Sequence, residues 1–278
     1  NPAGPTVAEL ARFLGDRAVV NIDSSNATDV ITGITVNSRK IIPGMAFAAL
    51  PGSSVHGIEF AREAIANGAS LIFTDAFGAD TLKNIDKPVF QVSDARAMLG
   101  EVAAFCYGNT SENLPKLFAI TGTNGKTSTA YILHAILRQL GEKVALSTTA
   151  ARLIGDQEIP SDLTTPEASE LHELLFRMRQ AQVSAAVIEV SAQALTRQRV
   201  AAVKFDVAGF TNLSHDHLDD YRDMPTYLAA KALLFTEQYS RGAAVSLDTE
   251  YGKQCIHALS YLLCANLHCS GIARFFAS

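Results

Sequence analysis

The chain has 278 residues, 48% of them hydrophobic, and a formal net charge of −5. That length and apolar content lead us to expect two compact domains and exclude a disordered chain. An acidic balance with a pI near 5.8 excludes a polyanion-binding surface, which needs concentrated Lys and Arg, so no nucleic-acid partner is expected and any bound phosphate should belong to a small molecule. No apolar run reaches bilayer-spanning length, so membrane insertion is not expected. The four cysteines at 106, 255, 264 and 269 show no zinc-site spacing and no secretory leader precedes them, which reads as reduced thiols in a cytoplasmic protein.

Residues 6–14 read as a short helix, with Thr6 as cap and Glu9 completing a capping box. Strand-like pieces follow at 31–36 and 45–50, parted by the turn Ile42-Pro-Gly44. A helix at 60–67 ended by Gly68, strands at 70–74 and 89–92, and a helix at 95–107 complete an α/β domain over 1–112. Gly108 to Pro115 is the expected linker. From 113 onward strands are expected at 117–120, 144–147, 185–189, 207–210 and 243–246, with helices at 128–140, 168–182 and 227–235. Such alternation implies a mostly parallel sheet flanked by helices, with ligands beyond the carboxyl ends of the strands. The polar clusters fall there: Thr148 and Thr149, Glu189, and Thr211 with Asn212.

The most informative stretch is ITGTNGKTS, residues 120–128. It lies between an apolar strand and an amphipathic helix, the context in which a glycine-rich loop cradles phosphate. Gly122 and Gly125 permit the tight turn, with Thr123 and Asn124 between them. Lys126 can reach the terminal phosphates, and Thr127 opens the helix, with Ser128 next, where its hydroxyl can ligate Mg²⁺. The common spacing asks for glycine at 120, which is Ile120 here, so this is a shortened variant. The ligand implied is a nucleoside triphosphate rather than a dinucleotide.

Glu189 closes the apolar strand AAVIE. A carboxylate there is the expected second anchor for Mg²⁺, the alternative being a structural carboxylate that caps a neighbouring helix. The segment FTNLSHDHLD, residues 210–219, packs two histidines and two aspartates past another strand. His217 is a candidate ligand for a hard metal with Asp216 beside it. Asp219 and Asp220 fit equally as helix N-terminal carboxylates. Lys231, within the apolar stretch YLAAKALLF, reads from composition alone as a snorkelling residue.

Taken together, these stretches resemble the Mur ligases of peptidoglycan synthesis, in particular those adding the third peptide residue. The resemblance rests on Asn37-Ser-Arg39, Pro43-Gly44, ITGTNGKTST at 120–129, Thr164-Thr-Pro166, EVSAQAL at 189–195 with Arg199, FTNLSHDHLDDY at 210–221 and YLAAKALLF at 227–235, and it spans about 5–254. It implies an N-terminal UDP-muropeptide domain, a central ATP-binding domain from 113, and an absent C-terminal domain that receives the amino acid. The implied partners are ATP, UDP-N-acetylmuramoyl-L-alanyl-D-glutamate and a diamino acid, L-lysine or meso-diaminopimelate, acting on a monomer. Lys126, Lys231 and Asn212 are implied in catalysis. Lys231 is implied to be N6-carboxylated, joining Glu189 and His217 around a second Mg²⁺, which overrides its snorkelling reading. Ser38, Arg39, Thr164, Thr165, Ser191, Arg197 and Arg199 are implied in substrate binding.

The chain departs from the family at Asn37, usually Asp; at Ala192 and Gln193, usually Ser-His; and at Thr249, usually Asp. Residues 255–278 do not resemble the family, and a truncation or a segment read out of frame is the expectation for them. Without the closing domain, the chain is expected to bind better than it turns over. The readings kept beside this one are a binding-only protein, the ligase that adds D-Ala-D-Ala, and folylpolyglutamate synthase.

Overall fold

The computed structural model describes residues 4–21, 25–82, 85–160, 163–214, 221–246, 251–252 and 272–276, the last five and residue 246 by their backbone only. The chain forms two compact units, one of residues 1–110 with 167–176 and the other of residues 111–166 with 177–278.

The first unit opens with α1 (Val7–Leu14), where Thr6 Oγ1 accepts from the Glu9 N–H and the Glu9 carboxylate accepts from the Thr6 N–H. Its sheet comprises β1 (Ala18–Asn21), β2 (Gly33–Thr35), β3 (Met45–Ala49), β4 (Leu71–Thr74) and β5 (Val89–Val92), in the order β1-β5-β4-β3-β2. Only β1 runs antiparallel. α2 (Ala61–Ala66) and α3 (Ala76–Thr81) precede β5, and α4 (Ala95–Tyr107) follows it, ending at the left-handed Gly108. On one face Val7, Leu10, Leu99 and Val102 of α1 and α4 bury against Phe73 and Phe90. On the other, Ile58, Ala61 and Ala64 bury against Phe47 and Ile72. Each large apolar side chain so enclosed contributes about 1.5–3 kcal/mol. The expected linker begins less freely than its composition suggests, because Asn109 is buried and its amide donates to the His172 carbonyl at 2.8 Å.

The second unit holds an eight-stranded sheet, ordered β13-β12-β11-β6-β10-β7-β8-β9. Its strands are β6 (Lys116–Thr121), β7 (Val144–Ser147), β8 (Arg152–Ile154), β9 (Gln157–Ile159), β10 (Ala185–Glu189), β11 (Val207–Phe210), β12 (Gly242–Ser246) and β13 (Ile272–Phe276). Strands β12, β11, β6, β10 and β7 are mutually parallel, while β13 pairs antiparallel with β12, β8 with β7 and β9 with β8. Its helices are α5 (Lys126–Gln139), α6 (Ala168–Gln180), which runs from one unit into the other, α7 (Ala192–Thr196) and α8 (Met224–Ala232). α8 begins three residues before its expected start, because Asp223 caps it by accepting from the Thr226 N–H at 2.8 Å and Pro225 stands in the first turn. Parallel register brings the carboxyl ends of β7, β10, β6 and β11 side by side, and the chemistry gathers there.

Candidate functional site

β6 delivers the chain to the glycine loop, and α5 starts at Lys126 with Gly125, at φ +80°, as its cap. The helix therefore opens two residues before the expected 128, and the N–H groups of Lys126, Thr127 and Ser128 form its unsatisfied first turn. Those donors and the helix dipole make an anion site. Gly122 has φ +146°, and a Cβ there would lie 1.9 Å from Thr211 Oγ1, so only glycine fits.

Glu189 ends β10 with 2% exposure. Its Oε2 accepts from Thr127 Oγ1 at 2.9 Å and from the Thr149 N–H at 3.2 Å, and its Oε1 stands 3.9 Å from Lys126 Nζ. A buried carboxylate is tolerated only with such partners. Lys126 Nζ also donates to the Thr123 carbonyl at 2.9 Å. The Thr127 hydroxyl and the Glu189 carboxylate are adjacent hard oxygen donors beside an anion cradle, a set that fits Mg²⁺. Lys231 is 1% exposed rather than snorkelling; its ammonium donates to the Gly122 carbonyl at 2.7 Å and lies 4.4 Å from the centre of the Tyr227 ring. His217, Asp216, Asp219 and Asp220 lie outside the described residues; among the described ones no cluster of three metal-ligating side chains occurs.

A cavity of ≈ 330 Å³ opens over these groups, its lining including Lys126, Glu189, Lys231, Thr149, Thr164, Ser191 and Arg199. Part of that lining is tied together through Thr165. Thr165 Oγ1 donates to the Glu189 carbonyl at 2.9 Å and accepts from the Ser191 N–H at 3.2 Å. Thr149 and Thr164 share a hydroxyl contact of 2.8 Å, and Arg199 reaches the Thr165 carbonyl at 3.5 Å. Ser191 also caps α7 through the Ala194 N–H at 3.1 Å. Arg197, at the end of α7, is exposed and is not among the residues lining the cavity. Asn212 contacts the glycine loop rather than the cavity. In the other unit, Ser38 is buried, with its hydroxyl donating to Glu63 at 2.5 Å, while Arg39 is exposed.

Five lining residues were not singled out from sequence: Ala192 and Gln193, noted only as departures from the family, and Leu163, Tyr221 and Tyr227. The rings of the tyrosines stand 5.0 Å apart. For Tyr227 a signal exists, since it lies four residues before Lys231 and so on the same helix face.

A parallel sheet whose strand ends assemble a glycine loop, a helix-start Lys-Thr pair and a buried glutamate defines a phosphate-loop α/β protein. Comparison with known proteins narrows the class. Residues 120–270 match the Mur ligase middle domain and residues 30–107 match the Mur ligase family catalytic domain. The chain belongs to the Mur ligase family. The middle-domain match reaches 270 and so passes the limit of 254 at which the residue-by-residue resemblance stops. A UDP-N-acetylmuramyl-tripeptide synthetase of Leifsonia xyli is 47% identical over 92% of this chain and 49% of its own length. A UDP-N-acetylmuramoyl-L-alanyl-D-glutamate–2,6-diaminopimelate ligase of Streptomyces avermitilis is 43% identical over 92% of the chain and 49% of its own length. A solved structure of a ligase with the same description shares the fold, with a TM-score of 0.75 and 24% identity over 93% of this chain and 50% of that one. The chain thus spans about half the length of the relatives it matches. No described helix is long and apolar enough to cross a membrane.

Proposed function

We propose that this chain carries the ATP and UDP-muropeptide sites of an enzyme that joins a diamino acid to UDP-N-acetylmuramoyl-L-alanyl-D-glutamate. The observation that carries the reading is the Lys126–Thr127–Glu189 arrangement, with Lys126 and Glu189 lining the cavity, in a chain 47% identical to a UDP-N-acetylmuramyl-tripeptide synthetase and 43% identical to a relative named for 2,6-diaminopimelate ligation. The relatives named for 2,6-diaminopimelate favour it over L-lysine as the amino acid added. The reaction belongs in the cytoplasm, where ATP is made available, and is carried out by a monomer.

In this reading the D-glutamyl carboxylate attacks the γ-phosphorus of ATP, the bridging P–O bond to the β-phosphate breaks, and ADP leaves with an acyl phosphate formed. The amine of the diamino acid then attacks the acyl carbon, and phosphate departs from the tetrahedral intermediate. Lys126 and the first-turn N–H groups of α5 hold the phosphates and stabilise the charge that develops on them. Thr164, Ser191 and Arg199 face the muropeptide across the cavity, Thr165 braces that wall from behind, and Arg197 meets the substrate from the surface. Ser38 and Arg39 hold the uridine-nucleotide end. Magnesium, when bound, neutralises the phosphate oxygens, with Thr127 and Glu189 holding one ion and Glu189, His217 and a carboxylated Lys231 a second. Lys231 is placed for carboxylation by its enclosure beside the glycine loop, with Nζ 2.7 Å from the Gly122 carbonyl.

Calorimetric titration of the chain with UDP-N-acetylmuramoyl-L-alanyl-D-glutamate, with UDP-glucose as control, tests this. Selective heat for the muropeptide is the expected result. Equal or absent binding of both overturns the substrate assignment.

A further inference from the structure

The segment following β11 is bonded to the glycine loop at more points than a passing connection requires. The side-chain amide of Asn212 pairs with both polar groups of Asn124: the Asn124 N–H donates to Asn212 Oδ1 at 3.0 Å, and Asn212 Nδ2 donates to the Asn124 carbonyl at 3.0 Å. Thr211 Oγ1 donates to the same carbonyl at 2.7 Å. One residue earlier, the Thr123 N–H donates to the Asn212 carbonyl at 2.9 Å. Ser214 closes the far side, its N–H donating to Thr123 Oγ1 at 3.1 Å and its hydroxyl accepting from Asn124 Nδ2 at 3.0 Å.

The pairing divides the loop's donors into two sets. The N–H groups of Thr123 and Asn124 are committed to Asn212, whereas those of Lys126, Thr127 and Ser128 are the open first turn of α5. A carboxamide presents a donor and an acceptor side by side at neutral pH, so it can grip a backbone N–H and C=O together as a neighbouring strand would. A hydroxyl or a carboxylate makes half of that pair. Gly122, against Thr211 Oγ1, lets the two segments approach closely enough for the grip to form.

We propose that Asn212 is a positioning residue for the phosphate loop, fixing the Asn124 peptide so that the first-turn donors of α5 meet the phosphates. It replaces the direct catalytic role that the family resemblance implies for Asn212. The assignment rests on the nucleotide-site reading above. Asn212 acts through the loop and touches neither substrate nor the reacting atoms.

The test uses the full chain, ADP as the probe, and the variants Asn212→Ala and Asn212→Asp. Asn212→Ala weakens ADP roughly tenfold, the equivalent of losing a pair of hydrogen bonds that fix the loop, and the Asn124 amide loses its protection in NMR hydrogen exchange. Asn212→Asp keeps the acceptor but sets a carboxylate oxygen against the Asn124 carbonyl. Its ADP affinity, relative to the unsubstituted chain at each pH, recovers as the pH is lowered from about 7 towards about 4, because a protonated carboxyl regains the donor. A role confined to general stability gives no such recovery. Unchanged ADP affinity and unchanged Asn124 protection in Asn212→Ala overturn the assignment, as does an Asn212→Asp affinity that stays equally reduced across the pH range. Failure of the unsubstituted chain itself to bind ADP overturns the nucleotide-site reading on which the assignment rests, a result distinct from the other two.

Discussion

At Gly122 two constraints coincide, a backbone φ of +146° and a Thr211 hydroxyl 1.9 Å from where a Cβ would sit. Gly122→Ala must therefore push the segment after β11 off the glycine loop or refold the loop itself. A cost of about 1–3 kcal/mol in stability is expected, together with loss of ADP binding, measured by thermal melting and calorimetry on the same sample. Glu189 makes a different demand. Its charge is enclosed, yet its oxygens already accept from Thr127 and Thr149, so an amide of the same shape keeps the packing and most of the hydrogen bonds. Glu189→Gln is expected to melt close to the unsubstituted chain but to lose the enhancement of ADP affinity by Mg²⁺. Retained Mg²⁺ enhancement in that variant would show that Glu189 is a structural carboxylate and not the metal anchor. The loop and this glutamate were legible in the sequence because motif and strand lie within a few residues of one another. The roles of Asn212 and Thr149 were not, since the contacts of Asn212 with Asn124 and of Thr149 with Glu189 exist only after strand order has been set.

Among the elements, those with a continuous apolar run and a hard stop could be placed closely. β7, β10 and β11 match their expected bounds, and α4 runs from the Asp94 cap to the left-handed Gly108 as its punctuation indicates. The elements that left little trace are short or atypical. β1 is an edge strand with alternating partial exposure; β8 and β9 have three residues each around Gly155; α7 has five residues, too few for a helical period. α3 carries Gly78 in its interior because that residue packs on Thr74, where a Cβ would meet Thr74 Oγ1 at 2.0 Å. Helix propensity alone argues against a helix there, and tertiary contact wins. The turn after α7 shows the converse, a backbone requirement that the side chain does not match. Ala202 is exposed and sits at φ +60° in the left-handed region. Because no packing is lost on removing its methyl group, Ala202→Gly should relieve that strain and stabilise the chain by a net of about 0.5–1 kcal/mol. A denaturant midpoint that falls instead would mean that chain entropy outweighs the strain.

For the whole molecule the ionisable groups define a pH range of greatest stability, and its acid edge has an identifiable origin. His134 on α5 is buried, and that burial, aided by the Arg138 charge and opposed by a hydrogen bond to the Val144 backbone, holds its pKa below the ordinary 6.5. Between the folded and unfolded pKa values the unfolded chain binds more protons, so stability rises with pH across that interval and falls as the pH drops below about 6.5. Further down, Asp75 adds to the loss. Burial raises its pKa, but hydrogen bonds from the Gly78 N–H and from His56 outweigh that and leave it below 3.8, so its contribution disappears as the pH falls through the carboxylate range. On the alkaline side the sign reverses. Burial pushes the Cys106 thiol from 9.0 up to about 12, so above about pH 9 the unfolded chain sheds a proton that the folded chain keeps, and stability declines. The expected profile is thus level between about pH 6.5 and 9, with the first loss on acidification belonging to His134. Melting temperatures of the chain and of His134→Gln, taken at half-unit intervals, separate the contributions. The variant should lose the slope just below pH 6.5 while keeping the steeper one in the carboxylate range, and an unchanged slope would move the acid edge to another group.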